Sequence, residues 1–356
     1  MKFNIEKSRF ENIIASMQPF LEKKDASSIT SHIYLEVINQ TLTIKATDYE
    51  MGLLATIDNL IDSEDGNATT NGANLLNIIR RLKDSQILIE SLDNHIHIKQ
   101  NRSNFKLPMY DANEYPSFPN DNDLQILNID TKHLISSSKK IIPAIDNNNP
   151  KFELNGALID IKQNNINFVA TDTRRLAVSQ IPNESNHVNQ IIIPKKAIIE
   201  IQKQFFDEAI ISYDQTNLII KNENKLFFTK LINGKFPDYQ RIIPTSLKYN
   251  LTLPKDKLVE SIKLVTSLFS NIKITIQPNG LIFESLDEDT DANTQIDIDL
   301  NIEEEFYIAA NAKYLLDFLS MVDGDSINIG FNESNLPFYL ENGNFFTIVM
   351  PIVLEK

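Results

Sequence analysis

The chain repeats itself at a period of roughly 124 residues. Three segments share one pattern, a short apolar strand running into an amphipathic helix. They are Phe3-Asn4-Ile5 into Lys7–Met17, Leu127-Asn128-Ile129 into Thr131–Ile142, and Asn250-Leu251-Thr252-Leu253 into Lys255–Phe269. Helical spacing puts Phe10, Ile14 and Met17 on one face of the first helix. It does the same for Leu134, Ile141 and Ile142 in the second and for Leu258, Ile262, Val265 and Phe269 in the third. Phe10, Leu134 and Leu258 stand at matching positions. A period that long is a whole domain rather than a solenoid unit.

The segments after each helix recur as well. Leu35-Glu36-Val37 and Leu42–Ala46 alternate around Asn39-Gln40, which predicts a hairpin. Leu158–Ile161 with Ile166–Ala170, and Ile272–Ile276 with Leu281–Glu284 turning at Asn279-Gly280, predict its counterparts. Ala46-Thr47-Asp48 matches Ala170-Thr171-Asp172. A second helix is expected over Asn74–Leu82, Lys196–Phe206 and Ala312–Val322, followed by hairpins such as Ile87–Ile89 with Ile96–Ile98 and Ile327–Ile329 with Phe338–Leu340. Glu114-Tyr115-Pro116 and Lys235-Phe236-Pro237 close the first two units, and Pro119–Asp123 and Thr245–Tyr249 read as joints. The expected fold is α+β: three tandem domains, 1–122, 123–246 and 247–356, each with two helices packed on antiparallel sheet.

Composition removes many functions. There are no cysteines, hence no disulfides, thiolate metal sites or cysteine nucleophiles. The nine glycines form no GxGxxG, GxxxxGK[ST] or GxSxG. Of five histidines only His95 and His97 are close, and they read as a solvated strand face. Asp287-Glu288-Asp289-Thr290-Asp291 begins like a calcium loop, but Ala292 and Ile298 occupy its glycine and bidentate-carboxylate positions. No apolar run approaches the roughly 18 residues of a membrane span, and the polar Met1–Glu6 is unlike a signal peptide, so a cytoplasmic protein is expected. A formal charge of −14 argues against DNA binding over the whole surface and leaves room for a local basic lining.

Met1-Lys2-Phe3, Ala170–Ala177, Asn233-Gly234-Lys235-Phe236-Pro237-Asp238-Tyr239 and Val349-Met350-Pro351 together resemble the bacterial DNA sliding clamps, the beta subunits of DNA polymerase III. The resemblance covers essentially the whole chain. It implies a head-to-tail homodimer closing a ring around double-stranded DNA, with no catalysis and no cofactor. It also implies tethering of the replicative polymerase, the clamp loader and other proteins bearing clamp-binding motifs. Carried over by position, the peptide groove would comprise Leu154, Thr171, Arg174, Arg175, Leu176, Pro237, Arg241 and Ile242 with Asn311, Tyr314, Ile348, Val349, Met350, Pro351 and Ile352. In this reading Arg175 and Arg241 hold the peptide's polar groups, and Ile348–Ile352 is an edge strand stopped by Pro351. The DNA-facing set would be Lys24, Arg80, Lys139, Asn148, Lys151, Phe152, Lys195, Lys196 and Lys203. The dimer interface would use Phe105, Leu107 and Leu268.

The chain departs from the family pattern where Thr173-Arg174 replaces the usual Gly-His pair and Val353 a usual basic residue. Two other readings stay open on the residues alone. One is a metal-dependent phosphoester or nucleic-acid enzyme using Asp48, Asp172 and Asp287; the other is a repeat scaffold without a DNA role.

Overall fold

The computed structural model describes residues 1–25, 27–122, 124–185, 187–267, 270–286 and 291–354. The first repeat holds β1 (Lys2–Glu6), α1 (Lys7–Met17), β2 (His32–Ile38), β3 (Thr41–Thr47), β4 (Met51–Ile57), β5 (Ile61–Glu64), β6 (Gly66–Asn71), α2 (Gly72–Arg81), β7 (Gln86–Leu92), β8 (His95–Gln100) and β9 (Ser103–Pro108). The second holds β10 (Gln125–Ile126), α3 (Thr131–Ile141), β11 (Gly156–Ile161), β12 (Asn165–Thr171), β13 (Arg175–Pro182), β14 (Asn189–Pro194), α4 (Lys195–Gln204), β15 (Ile210–Tyr213), β16 (Asn217–Lys221) and β17 (Lys225–Lys230). The third holds β18 (Tyr249–Pro254), α5 (Lys255–Val265), β19 (Asn271–Gln277), β20 (Gly280–Ser285), β21 (Asn293–Asp297), β22 (Phe306–Asn311), α6 (Ala312–Leu319), β23 (Ser326–Phe331), β24 (Phe338–Asn342) and β25 (Phe345–Val349). Apart from the short β5, the three element orders are the same.

The chain packs as two compact units, Met1–Lys132 with Lys196–Leu231, and His133–Lys195 with Ile232–Lys356. The first contains a sheet ordered β5-β1-β7-β8-β9 and an eight-stranded sheet ordered β10-β15-β16-β17-β4-β3-β2-β6. The second contains an eight-stranded sheet ordered β14-β11-β12-β13-β25-β24-β23-β18 and a four-stranded sheet ordered β21-β20-β19-β22. Each eight-stranded sheet joins two half-sheets from different repeats. The joints are β17 to β4, with Phe227 opposite Leu53, and β13 to β25, with Ala177 opposite Thr347. By the same element order, β9 and β21 are the strands that correspond to these joining strands. Each ends its sheet as an edge.

Local sequence explains the elements. β3 buries Leu42, Ile44 and Ala46 and turns its alternate residues outward. Asn39 and Gln40 (φ 48° and 64°) and Asp93 and Asn94 (49° and 56°) take the left-handed conformations that suit two-residue hairpins. The Asn71 side chain caps α2 through the Asn74 amide at 3.0 Å, and Asn311 caps α6 through the Lys313 amide at 3.0 Å. In the first unit Phe3 meets Phe10, and Phe20 meets Phe227, edge-to-face at 5.9 Å each. In the second, Phe318 stacks on Phe345 at 5.0 Å and Phe306 on Phe331 at 4.4 Å.

Some boundaries differ from the sequence expectation. The strand expected at Leu127–Ile129 lies earlier, as β10; the Leu127 amide still bonds Ile211 O (2.9 Å), but the Ile129 amide bonds back to Leu127 O (2.9 Å) and curls the chain away from the sheet. The helix expected to reach Phe269 stops at Val265, where the Thr266 hydroxyl donates to the Ile262 carbonyl at 2.6 Å; Leu268 and Phe269 lie outside the described residues. The third-repeat turn is Pro278-Asn279, with Gly280 already in β20, and Tyr249 opens β18 rather than ending a joint. The second helices end one to three residues early, at Arg81, Gln204 and Leu319, and periodicity gives no sign of β5.

His32 opens β2 in a buried site, its ring stacked 4.0 Å from that of Tyr110 and its Nδ1 3.4 Å from Thr69 Oγ1. Burial lowers its pKa from 6.5 to about 4. The folded chain therefore keeps this imidazole neutral where the unfolded chain protonates it. Its share of stability is full above pH 6.5 and is lost as pH falls towards about 4. Replacing His32 with Gln should flatten this acid limb by about 2 kcal/mol. Urea unfolding at pH 7 and at pH 4.5 checks it; an unchanged difference between the two pH values would refute the assignment.

Candidate functional site

β25 is not the edge strand that the C-terminal apolar run suggested. It is paired on both sides, with β13 and with β24, so Ile348 and Val349 are buried in the sheet. The Met350 amide extends the ladder by one bond to Arg174 O (2.9 Å). Pro351, without an N–H, follows, and the Ile352 amide turns to Ala309 O on β22 (2.7 Å). Met350 is thus left 43% exposed at the end of the joint, with Pro351 and Ile352 half-buried.

The segment after β17 crosses the same sheet. Phe236 and Tyr239 are buried among Leu154, Leu158, Val169, Leu176 and Ile348, while Pro237 and Ile242 stay exposed. The sequence-predicted groove residues therefore separate into two groups. Leu154, Leu176, Ile348 and Val349 are core beneath the surface. Pro237, Ile242, Met350 and the half-buried Tyr314 are the apolar groups within reach of solvent.

Arg175 differs most from expectation. It follows the turn between β12 and β13, where Asp172 Oδ1 accepts from the amides of Arg174 (3.1 Å) and Arg175 (3.0 Å), and Thr171 Oγ1 donates to Arg175 O (2.6 Å). Its buried guanidinium donates to Asp172 Oδ2 (3.0 Å), Asp317 Oδ2 (2.7 Å) and Pro143 O, and lies 4.5 Å from the Tyr314 ring centre. These acceptors take three of its five N–H donors within the protein. Arg174 is exposed; Arg241 is exposed and paired with Asp238 at 2.7 Å. Asn311 commits its side chain to the α6 cap. Sequence reasoning missed Asp317, although its place one helical turn after Lys313, with which it pairs at 2.5 Å, was a signal.

The turn chemistry repeats between β3 and β4. Asp48 Oδ1 accepts from the Glu50 and Met51 amides at 3.1 and 2.9 Å, and Tyr49 and Thr173 share φ near 70°. Asp48 and Asp172 therefore hold backbone turns. No group of three metal-ligating side chains assembles among the described residues, and Asp287 lies outside them.

The basic candidates lie on helix ends and loops. Arg80 is in the last turn of α2, 3.7 Å from Glu11, Lys139 is exposed in the last turn of α3, and Lys203 in that of α4 bonds Glu200 at 2.8 Å. Lys196 pairs with Asp48 at 2.8 Å. Lys195 turns inward, donating to Ile145 O (2.7 Å) and Asn147 Oδ1 (2.8 Å), and burial lowers its pKa. Lys24, Asn148 and Lys151 are exposed, and Phe152 is 75% exposed. Phe105 and Leu107 sit half-buried on edge strand β9, opposite Ile98 and Ile96.

The N-terminal, central and C-terminal domains of the DNA polymerase III beta subunit match residues 1–119, 128–238 and 240–353. The chain belongs to the DNA polymerase III beta subunit family. The beta sliding clamp of Helicobacter pylori J99 is 39% identical, over 99% of this chain and 100% of that protein. That of Vibrio cholerae is 26% identical over similar shares. A crystal structure of the Helicobacter pylori beta clamp bound to a DNA ligase peptide superposes with a TM-score of 0.95, at 40% identity, covering 99% of this chain and 100% of that one. The Pseudomonas aeruginosa beta subunit, at 24% identity, shares the fold with a TM-score of 0.92. Among the described residues no helix is long and apolar enough to cross a membrane.

Within this beta-subunit chain, removing Arg175 would leave Asp317 with Lys313 alone, leave Asp172 Oδ2 without its guanidinium partner, and empty a buried side-chain volume. Arg175→Ala should cost about 3 kcal/mol of stability. Denaturant midpoints measure this, and a loss below about 0.5 kcal/mol would show the pair to be worth no more than a surface one.

Proposed function

We propose that the chain is a DNA polymerase processivity factor. It forms a ring of two chains around duplex DNA and tethers the replicative polymerase, the clamp loader and other DNA enzymes through the groove beside Met350. The observation that carries this is the pair of open edges. β17–β4 and β13–β25 join consecutive repeats, and the corresponding β9 and β21 end their sheets unjoined. Exposed strand edges are templates for pairing. Two chains arranged head to tail would bury all four edges with two-fold symmetry. Phe105 and Leu107 on β9 would enter that joint; Leu268, proposed with them, lies outside the described residues.

The protein acts without catalysis and in the cytoplasm on this reading, and its three domains divide at 1–122, 123–246 and 247–356. Asp48 and Asp172 are committed to backbone amides, which disfavours a carboxylate metal enzyme. A ring holds DNA by topology, so its phosphate contacts can be weak and independent of sequence. Arg80, Lys139, Lys196 and Lys203, with Lys24, Lys195 and the loop of Asn148, Lys151 and Phe152, are the proposed DNA-facing groups. The peptide side is proposed to use Pro237, Ile242, Tyr314 and Met350 directly, with Leu154, Leu176, Ile348 and Val349 as the packed floor. Thr171, Arg174, Arg241, Asn311, Pro351 and Ile352 form the rim.

Sedimentation should give twice the 40.6 kDa chain mass, and Phe105→Asp with Leu107→Asp should yield monomers. A wild-type monomer at micromolar concentration would sink the ring. Changing Arg80, Lys139 and Lys203 together to Gln should weaken retention on circular duplex DNA. It should also flatten the salt dependence by about 0.9 in log–log slope for each phosphate no longer neutralised. Unchanged retention would move the DNA-facing surface elsewhere.

A further inference from the structure

Asp160 on β11 and Asn167 on β12 face each other in register, both 3% exposed, on a sheet face otherwise made of Leu158 and Val169. A carboxylate in such a place is costly unless its oxygens are bonded. Gln190 Nε2 donates to Oδ1 at 2.9 Å and the Tyr239 hydroxyl donates to Oδ2 at 2.7 Å. Asn167 Nδ2 in turn donates to the Tyr239 oxygen at 2.8 Å. Lys162 Nζ stands 3.4 Å from Oδ2 and 5.6 Å from the Tyr239 ring centre. The phenol is therefore gripped on its acceptor and its donor side by two adjacent strands.

Tyr239 opens the single turn of 3₁₀ helix, Tyr239–Ile242, that carries Arg241 and Ile242. This turn is the only helix or strand among the described residues between β17 and β18. The Ile232 amide fixes the start of the segment on Ile192 O at 2.9 Å. From there to Ile243 the segment is held by the buried Phe236 and Tyr239 rings and by the Tyr239 hydroxyl. An open cleft of about 300 Å³ beside Lys162, Gln190 and Gln240 leaves one flank unpacked. Apolar contacts alone set depth but not register, since they are non-directional. The two hydrogen bonds on the phenol oxygen supply direction.

We propose that Asp160, Asn167 and Tyr239 form a latch that positions the Pro237–Ile242 wall of the peptide groove, so that Tyr239 and Asp160 are positioning residues for partner binding. The proposal rests on the groove reading above. Without the latch the wall samples other placements, and apparent affinity falls by the fraction of time the competent one is occupied.

The test uses the full chain and the DNA ligase peptide that the Helicobacter pylori clamp binds as probe. Tyr239→Phe keeps the ring in its core and removes only the hydroxyl. It should weaken peptide binding about fivefold to tenfold. Amide exchange should rise in residues 232–243 and stay unchanged elsewhere, and saturating peptide should reverse the rise. A general loss of stability would instead raise exchange throughout. Asp160→Asn should act alike, and the double variant should be no worse than the stronger single one. Ile242→Asp, on the groove surface itself, serves as reference. If it abolishes binding while Tyr239→Phe binds like wild type, the groove stands and the latch is wrong. If Ile242→Asp also binds unchanged, the groove reading fails and takes the latch with it. Should Tyr239→Phe not fold, Asn167→Ala removes one grip on the phenol and should give the same local exchange signature with a loss of about twofold; its absence would overturn the latch.

Discussion

A half-sheet cannot end comfortably in water, and the architecture follows from that. Every repeat contains two half-sheets, of four strands each except for the five-stranded one that β5 extends, and each half has a joining strand whose outer N–H and C=O groups need partners. Consecutive repeats supply them to each other, through β17 with β4 and β13 with β25. A linear chain of three repeats has six such halves and two internal joints, so two joining edges are necessarily left over. They are β9 and β21. The pressure to assemble is thus a property of the repeat number, independent of which side chains decorate the edges.

The joint between β13 and β25 also explains where the candidate groove lies. Pairing on both sides commits Ile348 and Val349 to the core, and the ladder runs out at Met350 because Pro351 has no donor. An apolar side chain is thereby held at the surface by a rigid sheet rather than by a loose tail. Arg175 stiffens the same place from the other strand. It links Asp172 on its own turn to Asp317 on α6 and covers Tyr314. A buried arginine with three acceptors is weak evidence for stability and better evidence for a fixed arrangement of the groups it joins.

How much of this could be read from the sequence depends on how local the cause is. Alternation in Leu42–Ala46 and helical spacing in Phe10, Ile14 and Met17 are local, and those elements lie where expected. The end of α5 at Thr266 and the curl at Ile129 depend on single hydrogen bonds, which periodicity does not register. The standing of β25 was misjudged because an apolar run before a proline suits an edge strand and an interior strand next to a chain end equally well. Only the partner strand, some 170 residues away in sequence, decides it. Within the candidate site, the sequence distinguishes apolar from polar residues but not buried from exposed ones. Leu154 and Leu176 are as apolar as Ile242 and Met350, and burial alone separates floor from surface. Arg175 and Arg241 read alike in the sequence; Asp317, far along the chain, takes one of them out of solvent.

Charge is placed with the same economy. A chain with 48 acidic and 34 basic residues still places Arg80, Arg81, Lys139, Lys140, Lys203 and Lys263 in the last turns of four of its helices. The carbonyl end of a helix favours cations by a few tenths of a kcal/mol to about 1 kcal/mol each, so these residues serve the fold whatever else they do. Lys203 reaches the buried Glu200 at 2.8 Å, whereas Arg80, more than half exposed, stands only 3.7 Å from Glu11. A loose pair such as the second is worth about 0–1 kcal/mol. A DNA phosphate can displace such a carboxylate at little cost and be released again as easily. Weakly committed cations on helix ends suit a tether that must stay on DNA without stopping on it, whereas a buried cation tied to two carboxylates, as Arg175 is, suits it less.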